Sequence, residues 1–147
     1  MIYIGADHKG FQLKEKTKQW LTEWGYEYHD VGALEYDKDD DYPVYASKVA
    51  ESMMEIDDYG IVICGSGVGV DEVANKFDGI RAGLAINKEQ IEAARNDDNI
   101  NVLAIASDFI SEEDTRDIIK TFLETPFADK ERFNRRLGEI EEIEETN

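Results

Sequence analysis

Residues 59–70 read YGIVICGSGVGV. The first six are apolar or small, the pattern of a strand buried on both faces. Directly behind them glycine recurs at positions 65, 67 and 69. Glycine lets the backbone turn sharply and bring several N–H groups close to a ligand. A helix is predicted next, over about residues 68–76. A buried strand running through a glycine loop into a helix is one step of an α/β sheet.

The same alternation repeats on both sides. MIYIG at 1–5 is a short apolar run ending in glycine, and residues 10–24 place Phe11, Leu13, Trp20, Leu21 and Trp24 among lysines and glutamates. That spacing predicts a helix with one apolar face, stopped by Gly25. Residues 26–31 alternate like a strand, 32–42 form an acidic loop, and Pro43 suits the first turn of a helix over about 43–56. Downstream, 80–86 and 101–106 read as strands and 88–96 as a helix. Ser111 with Asp114 reads as the cap of a helix over about 112–123, and the tail from 129 to 145 is helical by composition. Ile140 and Ile143 in that tail sit at helical spacing, facing the core or a partner. Five strands alternating with helices predict a parallel sheet covered on both faces.

The chain has 147 residues, a length for one domain spanning 1–147. At 41% hydrophobic and 10% aromatic it can pack a core despite 34% charged residues, so wholesale disorder is excluded. Thirty-four acids against 16 bases give a net charge of −18, which repels phosphate backbones and anionic lipid. Nucleic acid and membrane surfaces are therefore not expected as partners. A small anionic substrate is not excluded, because a site works by local charge. One cysteine allows no intramolecular disulfide. The start, MIYIGADHKG, lacks the pattern of a secretion leader, and no apolar run approaches the roughly 18–20 residues of a membrane span. A soluble, cytoplasmic protein is expected.

Ligands of open α/β sheets bind beyond the carboxyl ends of the strands. Three features are expected to converge there: Asp7-His8, the loop from Cys64 to Gly69, and Asn99-Ile100-Asn101 with Asp97-Asp98 just ahead. The loop can cradle a phosphate or a developing oxyanion, or be only a structural turn. It lacks the further glycine of a dinucleotide fingerprint and the lysine of a P-loop. Cys64 reads either as a small buried hydrophobe or as a thiolate favoured by N–H dipoles, able to act as nucleophile or base. His8 is a donor to a phosphate, an acid, or a loop histidine; His29, inside a strand, is structural. Arg132, Arg135 and Arg136 cluster in an acidic chain, and 132 and 136 share a helix face. They clamp a phosphate or pair with nearby glutamates. The run Asp40-Asp41-Tyr42-Pro43 binds hydroxyls or is only an acidic loop with a helix start.

Taken together, these motifs resemble one family. Gly-x-Asp-His-x-Gly-Phe at 5–11, Asp41-Tyr42-Pro43 with Tyr45, and Cys-Gly-Ser-Gly-Val-Gly at 64–69 carry the first half of the resemblance. Ala-Asn-Lys at 74–76, Gly-Ile-Arg-Ala at 79–82, Asn-Val-Leu at 101–103 and the pair Arg132 and Arg136 carry the second. In order and spacing the chain is similar to ribose-5-phosphate isomerases of type B and galactose-6-phosphate isomerase subunits, from Met1 to about Ile143. The resemblance implies a Rossmann-like three-layer α/β/α sandwich with a five-stranded parallel sheet. It implies a homodimer or a dimer of dimers, with the C-terminal helix (about 129–145) reaching a neighbouring subunit. It also implies aldose–ketose isomerisation of a phosphorylated sugar, with no cofactor and no metal.

The residue roles follow from the resemblance. Cys64 is implied as the base, Ser66 as an assistant at the hydroxyl oxygens, and the N–H groups from Gly65 through Gly67 and Val68 to Gly69 as donors to a cis-enediolate. Asp7 and Tyr42 contact substrate hydroxyls. His8 contacts the phosphate with Arg132 and Arg136 of a neighbouring subunit. One departure stands out. Where these enzymes carry His-Asn ahead of Asn-Val, this chain has Asp97 and Asp98. That histidine opens the furanose ring, and aspartate is a poor proton donor at neutral pH. The departure puts ribose 5-phosphate in question more than isomerisation, and leaves room for tetrose and hexose phosphates. A non-catalytic sugar-phosphate-binding protein, or an inactive subunit of a mixed oligomer, is the alternative. A hydrolase or transferase with Cys64 as nucleophile is a third reading.

Overall fold

A computed structural model describes all 147 residues. In chain order the elements are β1 (Ile2–Ala6), α1 (Phe11–Glu23), β2 (Tyr28–Gly32), α2 (Tyr42–Ser52), β3 (Tyr59–Cys64) and α3 (Val68–Ala74). They continue with β4 (Ala82–Leu84), α4 (Lys88–Asp98), β5 (Val102–Ala106), α5 (Glu112–Glu124) and α6 (Glu131–Thr146). The five strands form one parallel sheet in the order β2-β1-β3-β5-β4. The expected three-layer α/β/α architecture is present.

The period of two along β3 divides the core. Ile61 and Ile63 face one layer with Trp20, Leu21, Ile91, Ile118, Ile119 and Phe122 from α1, α4 and α5. Val62 and Cys64 face the other with Ala46, Val49, Ala50, Val70 and Ala74 from α2 and α3. Chain order reverses between β1 and β3: β2 lies on one side of β1 and β3 on the other. At such a switch point the loops leaving the two strands part to opposite faces and open a crevice at their carboxyl ends.

Several expected bounds move, each for a local reason. The second helix ends at Ser52 because residues 53–58 fold back. The Asp58 carboxylate accepts the N–H groups of Met54 and Glu55 and pairs with the N-terminal ammonium at 3.0 Å. The strand expected over 80–86 shrinks to Ala82–Leu84. The short α3 gives way at Asn75, whose side-chain amide accepts the N–H of Ala82 and donates to its carbonyl, which aligns β4. The Ser111 cap forms as expected, its hydroxyl accepting the N–H of Asp114 at 3.1 Å.

Candidate active site

β1 ends in a tight turn built around Asp7. Its buried carboxylate accepts the N–H groups of Lys9 (2.9 Å) and Gly10 (3.1 Å), shaping the start of α1. Burial pushes the Asp7 carboxyl above the ordinary aspartate range, against the pull of the Gly10 N–H, the His8 ring and the Lys9 N–H. Gly10 packs so closely on β3 that a Cβ there would meet Ile63 Cγ2 at 2.6 Å. That contact holds the β1 turn against the strand carrying Cys64.

Cys64 is the last residue of β3, a free thiol 4% exposed, in register with Ala106 at the end of β5. Its carbonyl accepts the N–H of Ser107 (2.9 Å) and the Ser107 hydroxyl (3.1 Å). The same hydroxyl lies 2.8 Å from the Lys9 carbonyl, so Ser107 joins the ends of β1, β3 and β5. Beyond Cys64 the chain passes through Gly65 and Ser66 to Gly67, which caps α3 at φ 72°. The Ser66 hydroxyl is exposed and accepts the N–H of Val68 at 3.2 Å. Tyr42, at the start of α2, lays its ring over Gly69, where a Cβ would meet Cε2 at 2.6 Å. Asp108 closes the other side: its N–H donates to the Gly65 carbonyl, and its carboxylate reaches to 3.8 Å from Lys9 Nζ.

His8 leans on the loop before α2. Asp40 Oδ1 lies 2.8 Å from both the His8 backbone nitrogen and ring Nδ1. The donor atoms of Asp7, His8 and Asp40 lie within 4.8 Å of one another, the spacing of a cation site. Asp7 Oδ1, His8 Nδ1 and Asp40 Oδ1 are each engaged in the hydrogen bonds described above. The structure thus brings Asp7, His8, Tyr42 and the loop Cys64–Gly69 to one edge.

The third expected feature lies elsewhere. A helix that returns from one parallel strand to the next ends where that next strand begins. Asp97, Asp98 and Asn99–Asn101 close α4 and lead into β5, at the amino edge of the sheet, opposite Cys64. Asp97 accepts from Asn96 Nδ2 at 2.7 Å, and Asp98 is exposed. Arg95, itself buried, fixes this turn by donating to Asn99 Oδ1 and the Ile100 carbonyl, and Arg81 Nε donates to the Asn99 carbonyl. Burial, then the Arg95 charge, holds the Arg81 guanidinium below its ordinary range, against the attraction of Glu141 and Glu144. α6 runs over the same amino edge and borders a cleft of about 700 Å³ with Arg81, Arg95 and Asn101. Arg132 and Arg136 are exposed there; Arg132 stacks 4.6 Å from the Phe133 ring centre, and neither arginine forms an ion pair. Within one chain the three expected features do not converge: two share the carboxyl edge, and the third joins the arginine pair at the far one.

Sequence reasoning missed Lys9, Ser107 and Asp108, and read Asp40 as part of a hydroxyl-binding run or an acidic loop, not as the partner of His8. Asp40 stands in a run of three aspartates, and nothing in that run marks one of them as a partner for a histidine 32 positions away.

Residues 2–140 match the family model described as Ribose/Galactose Isomerase. The chain belongs to this family. Ribose-5-phosphate isomerase B of Mycobacterium tuberculosis is 35% identical over 99% of this chain and 91% of its own. The crystal structure of a ribose 5-phosphate isomerase from Thermotoga maritima superposes with a TM-score of 0.90 at 39% identity, covering 96% of this chain and 97% of that one. Ribose-5-phosphate isomerase B of Mycoplasma genitalium, crystallised with bound ribulose-5-phosphate, gives a TM-score of 0.90 at 35% identity over 99% of this chain and 97% of its own. The fold of this chain is thus that of ribose-5-phosphate isomerase B structures, over nearly its whole length.

Proposed function

We propose that this isomerase interconverts an aldose and a ketose phosphate, ribose 5-phosphate and ribulose 5-phosphate first among them, through a cis-enediolate and without a metal or nucleotide. The observation that carries the reading is Cys64, seated at the end of β3 where a glycine loop leads into the N-terminus of α3, with Asp7 and His8 at the end of the neighbouring strand. A hydrogen next to a carbonyl is too weak an acid to leave unless the oxyanion is stabilised as it forms. The N–H groups from Gly65 to Gly69 supply fixed donors for that oxyanion. Cys64 takes the proton from one carbon and returns it to the next, while the Ser66 hydroxyl, exposed beside it, moves the proton between the two oxygens. Asp7 and Tyr42 hold substrate hydroxyls, and His8 holds the phosphate.

Arg132 and Arg136 complete the phosphate site from a second copy of the chain, and Asp97 and Asp98 arrive with them. This assignment is supported by their position at the opposite edge of their own sheet. It is also supported by the exposure of Ile140 (42%) and Ile143 (60%) on α6, an apolar stripe suited to a partner. The protein acts as a homodimer or dimer of dimers. Asp97, in the position of a ring-opening histidine, either takes the proton of the anomeric hydroxyl or leaves ring opening to solvent. In the second case an open-chain tetrose 4-phosphate is the better substrate.

The test is turnover of ribose 5-phosphate by pure protein in the presence of a chelator, beside Cys64→Ala. General acid–base groups contribute about 10²–10⁴-fold, and the variant is expected to lose at least that much of kcat. Turnover by Cys64→Ala at the wild-type rate contradicts the assigned base. No turnover of any sugar phosphate by folded wild-type protein favours the inactive-subunit reading.

A further inference from the structure

Asp40 belongs to neither the sheet nor a helix, yet its side chain is only 5% exposed. Its Oδ1 meets the His8 backbone N–H and ring Nδ1 at 2.8 Å each, which fixes both the position and the rotation of the ring. Its Oδ2 is buried and has no hydrogen-bond partner. Nε2 of His8 makes no hydrogen bond within the chain, and the ring is 27% exposed. A histidine whose Nδ1 is tied to a carboxylate presents the other nitrogen in a defined state.

We propose that Asp40 is a positioning residue for the phosphate end of the site: it holds the His8 ring by Nδ1 and keeps Nε2–H as a cationic donor to the substrate's anionic group. The proposal rests on the sugar-phosphate reading above. The charged surroundings agree with it. The hydrogen bond to Asp40 raises the His8 pKa most. Partial burial opposes it, the charges of Asp7 and Asp40 add to it, and Lys9 subtracts. Lys9 is itself drawn toward Asp108 on the β5 loop. On the α2 side the Tyr45 phenol is pushed up, first by burial, then by the Asp40 charge and its hydrogen-bonding attraction to the Asp40 carboxylate, with Asp37 and Asp7 adding smaller effects. Tyr45 and Asp40 are therefore close enough to sense each other.

A raised pKa keeps the ring charged as pH climbs past about 6.5, the ordinary histidine value. Asp40→Asn preserves the shape and an acceptor oxygen but removes the charge, so its ring discharges at lower pH. Below the ordinary histidine value both proteins carry a largely charged ring; as pH rises above it the wild-type ring keeps its charge further than the variant's. The expected KM for the sugar phosphate in Asp40→Asn is close to wild type at pH 6 and rises about tenfold at pH 8, the loss of one charge-assisted hydrogen bond, with kcat within about twofold. A KM raised equally at both pH values denotes a purely structural role and overturns the proposal.

A measurement free of turnover accompanies this one. The chain has two histidines, so ring carbon NMR shifts against pH are readily assigned with His29→Gln. The His8 midpoint is expected above about 6.5 in the wild type and lower in Asp40→Asn. Sulfate, a dianion throughout this range, is expected to move the His8 signal more in the wild type than in the variant at pH 8. An unshifted wild-type midpoint overturns the proposal even if Asp40→Asn fails to fold. Absence of turnover on any sugar phosphate, with the midpoint and the sulfate response as expected, removes the isomerase reading and leaves the Asp40–His8 anion site standing.

Discussion

Gly67 shows how one residue constrains the site. At φ 72° it turns the chain from β3 into α3, and a Cβ there would meet Leu84 Cδ1 at 2.6 Å and the Ala106 backbone nitrogen at 2.9 Å. Gly79 has nearly the same dihedral, φ 78°, with nothing within 4 Å of the missing Cβ. The pair separates backbone strain from crowding. Gly79→Ala is expected to lose about 1–2 kcal/mol, the left-handed penalty alone. Gly67→Ala adds a clash with backbone and is expected to lose more in urea melts, and to lower turnover by tilting the loop. Equal losses would mean that the close approach of the loop to β5 is not rigid. At this scale the sequence was legible where chemistry and geometry coincide: the glycine loop, Cys64 and Asp7-His8 stand where their order predicted. Asp40 was not legible, because its role depends on a fold that carries it to His8.

Among the elements, α1 and β2 are tied by an ionic network under the sheet edge. Lys14 is fully buried and meets Asp30 Oδ2 at 2.5 Å; Lys18 reaches the same oxygen at 2.8 Å, and Glu15 bridges the two lysines. Removing one partner of a buried pair costs about 3–5 kcal/mol, and Lys14→Met is expected near the lower end because Lys18 still serves Asp30. A loss under about 1 kcal/mol in equilibrium unfolding would show that the network is not a fastening. The network also sets acid behaviour. Burial alone would raise the Asp30 carboxyl, but Lys14, Lys18 and the Gly32 N–H hold it below the ordinary range. Asp58 is held down, against its burial, by the Glu55 N–H, the N-terminal ammonium and the Met54 N–H. Both carboxyls bind protons less readily folded than unfolded. Their stabilisation is full above about pH 4 and lost as pH falls through the folded values, so unfolding free energy should drop in that window and the drop should shrink in Asp30→Asn. Element type was legible from periodicity throughout. The ends were not: the Asp58 turn and the Asn75 bridge to Ala82 are side-chain events between segments. Part of the motif set proves to be joinery of this kind. Asn101 accepts the Arg81 N–H and donates to the Gly79 carbonyl, which explains why Gly-Ile-Arg-Ala and Asn-Val-Leu occur together.

On the scale of the whole molecule, the parallel sheet separates what the proposed chemistry needs together. Cys64, the glycine loop, Asp7, His8 and Tyr42 occupy the carboxyl edge, while Asp97, Arg132 and Arg136 occupy the amino edge. The resemblance already assigned the arginines to a neighbouring subunit, but Asp97 and Asp98 were expected at the edge of Cys64; the direction of α4 carries them to the other edge, and no local pattern reports that direction. A net charge of −18 makes local cations the more necessary for a phosphorylated substrate, and the arginine pair without ion-pair partners is the reserve the chain offers. The central claim is that one copy supplies the base and another the arginines. Mixing Cys64→Ala with Arg136→Ala, after dissociation and reassembly, tests it. Each variant alone is expected to be nearly inactive. In a two-fold dimer, half of the randomly paired molecules are mixed and each holds one intact site, so about a quarter of wild-type activity should return. No recovery, with mixed dimers confirmed by native mass spectrometry, would place base and arginines in the same chain and contradict the account.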